Sequence, residues 1–313
     1  MNVSSARPEP ANFSRIKLFL ALSRTSHGIL DMATPAFSAL LWLGDFPPFH
    51  IILLGLMTTF AGYTAVYALN DVVDYRIDKE KIRRTGLNGQ GSDLDTLWVR
   101  HPMAQGLLSF KEGVLWALGW SAVALTGAAL LNPVCVLIFI VGCVLETLYC
   151  LLLKITHHRV IISGGVKTSG AIAAVFAVDP APGVGYLICL FTLFFLWEIG
   201  GQNVPNDWTD IEEDRSLNAK TIPIRFGSDF SIRIVLGALL GTVMVTPVLF
   251  LFSQERFEGA YLAAAISAAG YLLILPAFQL WRVKEPRFAM ALFNRASYFP
   301  SVLLAIVLVK LIS

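Results

Sequence analysis

Apolar runs of about 20 residues recur along almost the whole chain, and this recurrence decides what it can fold into. Nine can be read, at approximately 26–44, 49–69, 113–131, 133–153, 160–178, 183–202, 231–253, 259–281 and 295–312. A helix needs about 20 mostly apolar residues to cross a bilayer. Open sheets cannot cross, because their edge groups find no hydrogen-bond partner in lipid. The expectation is therefore an all-α polytopic membrane protein, a single domain over 1–313 with nine transmembrane helices. Composition agrees: 15% of residues are charged, against about 25% in an ordinary soluble domain. Turn formers punctuate the gaps, as at Gly44-Asp45, Asn132-Pro133 and Asp179 to Gly183. Residues 1–14 read as a flexible tail and 15–22 (RIKLFLAL) as a short amphipathic helix on the membrane surface. Cys135, Cys143, Cys150 and Cys189 all lie in apolar runs without metal-ligand spacing, and read as packing residues.

The net charge of +2 says little about partners, but the placement of charge says more. With nine spans, alternate connections fall on opposite sides. The N-terminal segment and the connections 70–112, 154–159, 203–233 and 282–295 hold almost every Lys and Arg. The positive-inside rule then puts the N-terminus and these loops in the cytoplasm of a multi-pass cell-membrane protein. No nucleic-acid partner is expected.

The two long polar connections begin alike. Asn70-Asp71-Val-Val-Asp74-Tyr-Arg-Ile-Asp78 and Asn206-Asp207-Trp-Thr-Asp210-Ile-Glu-Glu-Asp214 share the pattern N-D-x-x-D-x-x-x-D. On a helix, aspartates at i, i+3 and i+7 share one face. Each motif therefore projects a row of carboxylates from the end of a span. Such rows repel themselves and are costly near lipid. A divalent cation removes that cost, and Mg²⁺ suits oxygen ligands and often bridges carboxylates to phosphate. The metal-ligand candidates are Asp71, Asp74, Asp78, Asp207, Asp210 and Asp214. A solvated acidic helix end is the plainer account of either motif alone. The EF-hand glycine and terminal glutamate are missing, as are the glycines of a P-loop.

The paired motifs, placed after the second and sixth spans, resemble the UbiA superfamily of intramembrane prenyltransferases. The likeness extends to Asp214-Arg-Ser-Leu-Asn-Ala-Lys220-Thr-Ile-Pro223, similar to the family's Lys-Thr/Ser-x-Pro stretch, and to Arg100-His-Pro-Met-Ala-Gln-Gly106, similar to its Arg-Pro-Leu-x-x-Gly stretch. In the second, His101 stands where arginine is usual and Arg100 lies one residue early. The resemblance implies nine helices around a central cavity and Mg²⁺-dependent transfer of a prenyl group from a prenyl diphosphate to an aromatic or other hydrophobic acceptor. It implies catalytic roles for Asp71, Asp74, Asp207, Asp210 and Lys220. Asn70 and Asn206 ligate metal or orient carboxylates. Arg84, Arg100 and Arg159 contact either diphosphate or lipid headgroups. Arg24, His27 and Asp31 share a helical face that resembles the acceptor end of some members, or pair among themselves. Glu198, two turns before Asn206, lines the cavity or serves as a structural partner, and Glu146 and Lys167 are further ionisable groups inside spans. Cyclisation of a prenyl diphosphate without an acceptor is the alternative chemistry; an isoprenoid-lipid transporter or scaffold is the alternative class.

Overall fold

A computed structural model describes residues 14–85 and 99–313. The tail before Ser14 and the Gly/Asn-rich stretch from Gly86 lie outside the described residues. Those described form helices and turns only. In chain order the helices are α1 (Arg15–Leu22), α2 (Thr25–Asp31), α3 (Ala33–Leu43), α4 (Phe49–Thr85), α5 (Phe110–Leu131), α6 (Pro133–Leu151), α7 (Arg159–Val178), α8 (Val184–Trp197), α9 (Val204–Thr209), α10 (Ile211–Ser216), α11 (Ile222–Phe250), α12 (Gly259–Ala269), α13 (Leu275–Val283), α14 (Pro286–Ser297) and α15 (Phe299–Ile312). Two π-helical turns, Glu198–Asn203 and Gly270–Ile274, join α8 to α9 and α12 to α13.

Among the described residues, 8 helical stretches are long and apolar enough to cross a membrane, from Phe49–Arg84 to Pro286–Ile312. The polytopic all-α architecture therefore holds. The run at 26–44 departs from expectation: it is two short helices, α2 and α3, meeting at Met32. Pro35 is the physical reason. It has no N–H for the carbonyl of Asp31, so the helical ladder is interrupted there.

Local chemistry sets the other boundaries. Ser109 and Glu112 form a reciprocal capping box that starts α5. Asn132 caps α6, with Pro133 as its first residue. Gly44 ends α3 at φ 64°, and a Cβ there would come within 2.5 Å of the Glu255 backbone nitrogen. Large apolar side chains such as Leu118, Leu137, Ile188, Met244 and Ile312 point outward, as a lipid-facing surface requires. The interior core centres on Phe37, Tyr186, Phe194, Trp197 and Phe299, all essentially inaccessible.

Candidate active site

The first carboxylate row sits on α4, an unbroken helix that runs well past its apolar part. The second sits on α9 and α10, two single-turn pieces divided at Asp210. Both rows line one cavity of about 130 Å³. The α1–α2 junction contributes Arg24, α6 Tyr149, α7 Arg159, and the 99–101 segment Arg100 and His101.

Cations hold the rows together. Lys81 Nζ lies 3.1 Å from Asp210 and 2.6 Å from Glu213. Arg100 reaches the same carboxylates at 3.0 and 3.2 Å. His101 Nδ1 stands 3.0 Å from Asp78 and 3.4 Å from Asp71. Arg24 donates to Asn70 at 3.0 Å and to Asp71 at 3.4 Å. Asn70 in turn donates to Glu146 at 2.5 Å, which fixes its amide. Arg159 stacks 3.9 Å above the Tyr149 ring, with its other end 3.9 Å from Asp207. Arg24 and His101, the two residues that bracket Asp71, both adopt positive φ, 44° and 51°. Left-handed backbone is unfavourable for such side chains, and at a site it marks residues held in place by their surroundings.

Charge balance shifts the groups outside the spans. Burial works to lower the His101 pKa, but Asp78 and Asp71 outweigh it and raise it to about 9. Burial works to raise that of Asp210, yet Lys81 and Arg100 bring it below the ordinary carboxylate value. Asp214, buried and facing the Asp207 charge, is pushed up to about 7.

The donor set fits a hard divalent cation. One oxygen of Asp74 is buried without a hydrogen-bond partner, and ligand atoms of Asp71, Asp78 and His101 lie within 4.8 Å of one another. Oxygen donors suit Mg²⁺; the imidazole of His101 does not. As an imidazolium, it competes with a metal for Asp71 and Asp78.

Of the residues singled out in the sequence, Arg24, Asn70, Arg100, Arg159, Asn206 and all six motif aspartates line the cavity. Four others do not. Lys220 is exposed, its backbone N–H bound to the Leu153 carbonyl at 2.8 Å. Arg84 turns toward Glu80 and the Ser216 carbonyl. His27 is buried 3.6 Å from Asp31. Glu198 accepts from Ser163 at 2.5 Å. Lys81, Glu213 and Tyr149 belong to the site although sequence reading did not select them. Lys81 carried a signal, since it continues the 71, 74, 78 face by one more turn. Tyr149 carried none.

Comparison with known proteins bears on the identity. The chain is 30% identical over 175 residues to a digeranylgeranylglyceryl phosphate synthase of Methanopyrus kandleri, covering 55% of this chain and 62% of the relative. It is 29% identical over 202 residues to a 4-hydroxybenzoate octaprenyltransferase of Coxiella burnetii, covering 64% and 63%. The chain thus spans a little under two thirds of these relatives. A protoheme IX farnesyltransferase of Thioalkalivibrio sulfidiphilus matches at 25% over 291 residues, covering 90% and 87%. Two solved structures share the fold. The apo UbiA homologue from Aeropyrum pernix K1 has a TM-score of 0.73 at 19% identity, covering 90% of this chain and 97% of that one. A UbiA homologue from Archaeoglobus fulgidus bound to DMAPP and Mg²⁺ has 0.69 at 17%, covering 94% and 98%. The model of the UbiA prenyltransferase family matches residues 32–299, and the chain belongs to that family.

Proposed function

We propose that the protein transfers a prenyl group from a prenyl diphosphate to a hydrophobic acceptor within the membrane, releasing diphosphate. The observation that carries this reading is the meeting of two carboxylate rows across one cavity ringed by Lys81, Arg100, His101, Arg24 and Arg159. Asp71, Asp74 and Asp78 on one side, and Asp207, Asp210 and Asp214 on the other, would hold Mg²⁺. Bound there, the metal bridges carboxylate to diphosphate oxygens and neutralises charge on the leaving group. The chain's own cations act on the same charge. Arg159, fixed by Tyr149, and Arg100 present guanidinium donors to the diphosphate, a geometry suited to phosphate oxygens. Asn70 and Asn206 orient the carboxylates beside them. Lys81 takes the lysine role that sequence reading gave to Lys220, because it faces the cavity and Lys220 does not. Below the rows, apolar helix surfaces receive the prenyl chain and exclude water from the allylic cation.

The same reading counts α2 and α3 together as a ninth, broken span. It places the N-terminus and both carboxylate rows on the cytoplasmic side of the cell membrane. The test is diphosphate release by the purified protein in nanodiscs, given a prenyl diphosphate, Mg²⁺ and a set of acceptors, with products identified by mass spectrometry. A prenylated acceptor supports the reading. A cyclic hydrocarbon formed without acceptor assigns the site to cyclisation, and absence of Mg²⁺-dependent diphosphate release refutes prenyl-diphosphate chemistry altogether.

A further inference from the structure

A second polar cluster lies inside the spans, one helical turn along α4 from the first carboxylate row. Lys167 on α7 donates to Asp31 on α2 at 2.6 Å and to the Tyr67 hydroxyl at 3.0 Å. Tyr67 itself donates to Asp31. His27 stands 3.6 Å from the other oxygen of Asp31. Asp31 is 4% exposed. An ion pair so deep in apolar surroundings is expensive, and ionisable groups inside spans mark functional positions. None of these residues lines the diphosphate cavity.

The arrangement has a specific chemical meaning. A phenolic hydroxyl is seated between a carboxylate that accepts its proton and an ammonium that stabilises its oxygen. Its ring has aromatic company, with Tyr63 roughly parallel at 6.4 Å and His27 at 6.1 Å. Arg24 and Lys167 lie over the ring at 5.6 and 5.4 Å. A crevice lined by Gly28, Phe60, Tyr63 and Thr64 adjoins it between α2 and α4. Tyr67 is four residues before Asp71, and residues so spaced lie about 5–6 Å apart on a helix face. A group in Tyr67's place is therefore near the carbon from which diphosphate departs.

We infer that Asp31 and Lys167 form the acceptor's hydroxyl subsite, and that the acceptor is an aromatic molecule with an acidic hydroxyl, with Tyr67 standing in that place in this structure. The inference rests on the prenyl-transfer reading above and adds the acceptor's class. The bond between the prenyl C1 and diphosphate oxygen breaks, and its electron pair leaves with diphosphate. The phenol's oxygen, or the ring carbon conjugated with it, supplies the pair for the new bond to C1. The hydroxyl proton passes to Asp31, with Lys167 beside the oxygen as it gives the proton up. After carbon attack, the ring proton is lost as the hydroxyl re-forms. One proton is released per turnover in either case.

The test uses the full chain in nanodiscs with geranyl diphosphate and Mg²⁺. The acceptors are 4-hydroxybenzoate and 1-naphthol, their methoxy counterparts, and a glycerol-based lipid alcohol. The expected result is prenylation of a phenol and of no methoxy counterpart. Lys167→Met, and the doubly neutral Asp31→Asn/Lys167→Met variant that leaves no unpaired charge, raise the phenol KM at least tenfold and leave the geranyl diphosphate KM unchanged. Tyr67→Phe removes the internal competitor and lowers the phenol KM. The inference is overturned if only the lipid alcohol is prenylated, if no acceptor is prenylated while diphosphate is released, if the KM for geranyl diphosphate rises with that for phenol, or if Tyr67→Phe raises the phenol KM as a lost structural tie would. Absence of any Mg²⁺-dependent diphosphate release from the unaltered chain is a different failure, that of the prenyl-transfer reading itself.

Discussion

Replacing Lys81 by methionine tests whether protein cations stand in for metal between the two carboxylate rows. Lys81 is 12% exposed and lies 2.6 Å from Glu213 and 3.1 Å from Asp210, so it ties the α4 row to α10. Removing one partner of a buried ion pair costs about 3–5 kcal/mol, because the other charge is left without compensation. Arg100 still reaches both carboxylates at 3.0 and 3.2 Å, which reduces the expected loss to about 2 kcal/mol. A divalent cation that binds only the folded state adds about 2.7 kcal/mol at a hundredfold excess over its Kd. The two magnitudes are close enough for one to offset the other. Thermal unfolding in nanodiscs should therefore show Lys81→Met melting well below the parent in EDTA, with the gap narrowing as Mg²⁺ is added. The variant also binds Mg²⁺ more tightly, since a competing cation is gone. Equal melting temperatures in EDTA would refute the idea that Lys81 carries this load. A gap that Mg²⁺ leaves unchanged would refute the claim that metal and lysine compete for the same carboxylates.

Four further outcomes are expected. Asp71→Asn or Asp207→Asn lowers kcat for diphosphate release on the order of a hundredfold or more, since each removes a ligand from the leaving-group charge; steady-state assay at saturating Mg²⁺ checks this. His101 has its pKa raised to about 9, so its pairing with Asp71 and Asp78 stabilises the metal-free protein fully below about pH 6.5 and fades as pH rises through 9. In EDTA the melting temperature accordingly falls across that window, His101→Gln flattens the fall, and Mg²⁺ affinity rises over the same range. Arg159→Lys loses the stack on Tyr149 and the planar donor set, raising the prenyl diphosphate KM about tenfold, a change of about 1.4 kcal/mol. Lys220→Met leaves kcat/KM within about twofold of the parent, and a loss as large as that of Lys81→Met would restore Lys220 to the site.

The spacing of the aspartates made the carboxylate rows readable, because a helix places i, i+3 and i+7 on one face whatever surrounds it. The same arithmetic reaches Lys81, which goes unread when attention stays on acidic residues. Lys220 illustrates the opposite error. Its position in the chain, close after Asp214, suggested a diphosphate contact, but its backbone N–H binds the Leu153 carbonyl and its side chain is exposed. Tyr149 under Arg159, and Glu146 under Asn70, depend on which helices become neighbours, and no local pattern encodes that. The pairing of Asp31 with Lys167 spans 136 positions and is of the same kind. The interruption of the first apolar run was legible in Pro35, once a missing N–H is weighed against hydrophobic length.

The two halves of the site also differ mechanically. The Asp71 row is part of one long rod, 37 residues without a break. The Asp207 row stands on two six-residue turns, preceded by a π-helical turn in which Gly200 and Gly201 press so closely on α11 and α14 that a Cβ on either would come within 3.0 Å of Ala238 or Ala296. A vice works on this principle, with one jaw fixed and the other sliding. Fitting diphosphates whose position varies with chain length then falls to the α9–α10 jaw, while α4 keeps a constant datum against which the reacting carbon is set. Hydrogen exchange should find the slack on the second jaw, and a bulkier residue at Gly201 should seize it.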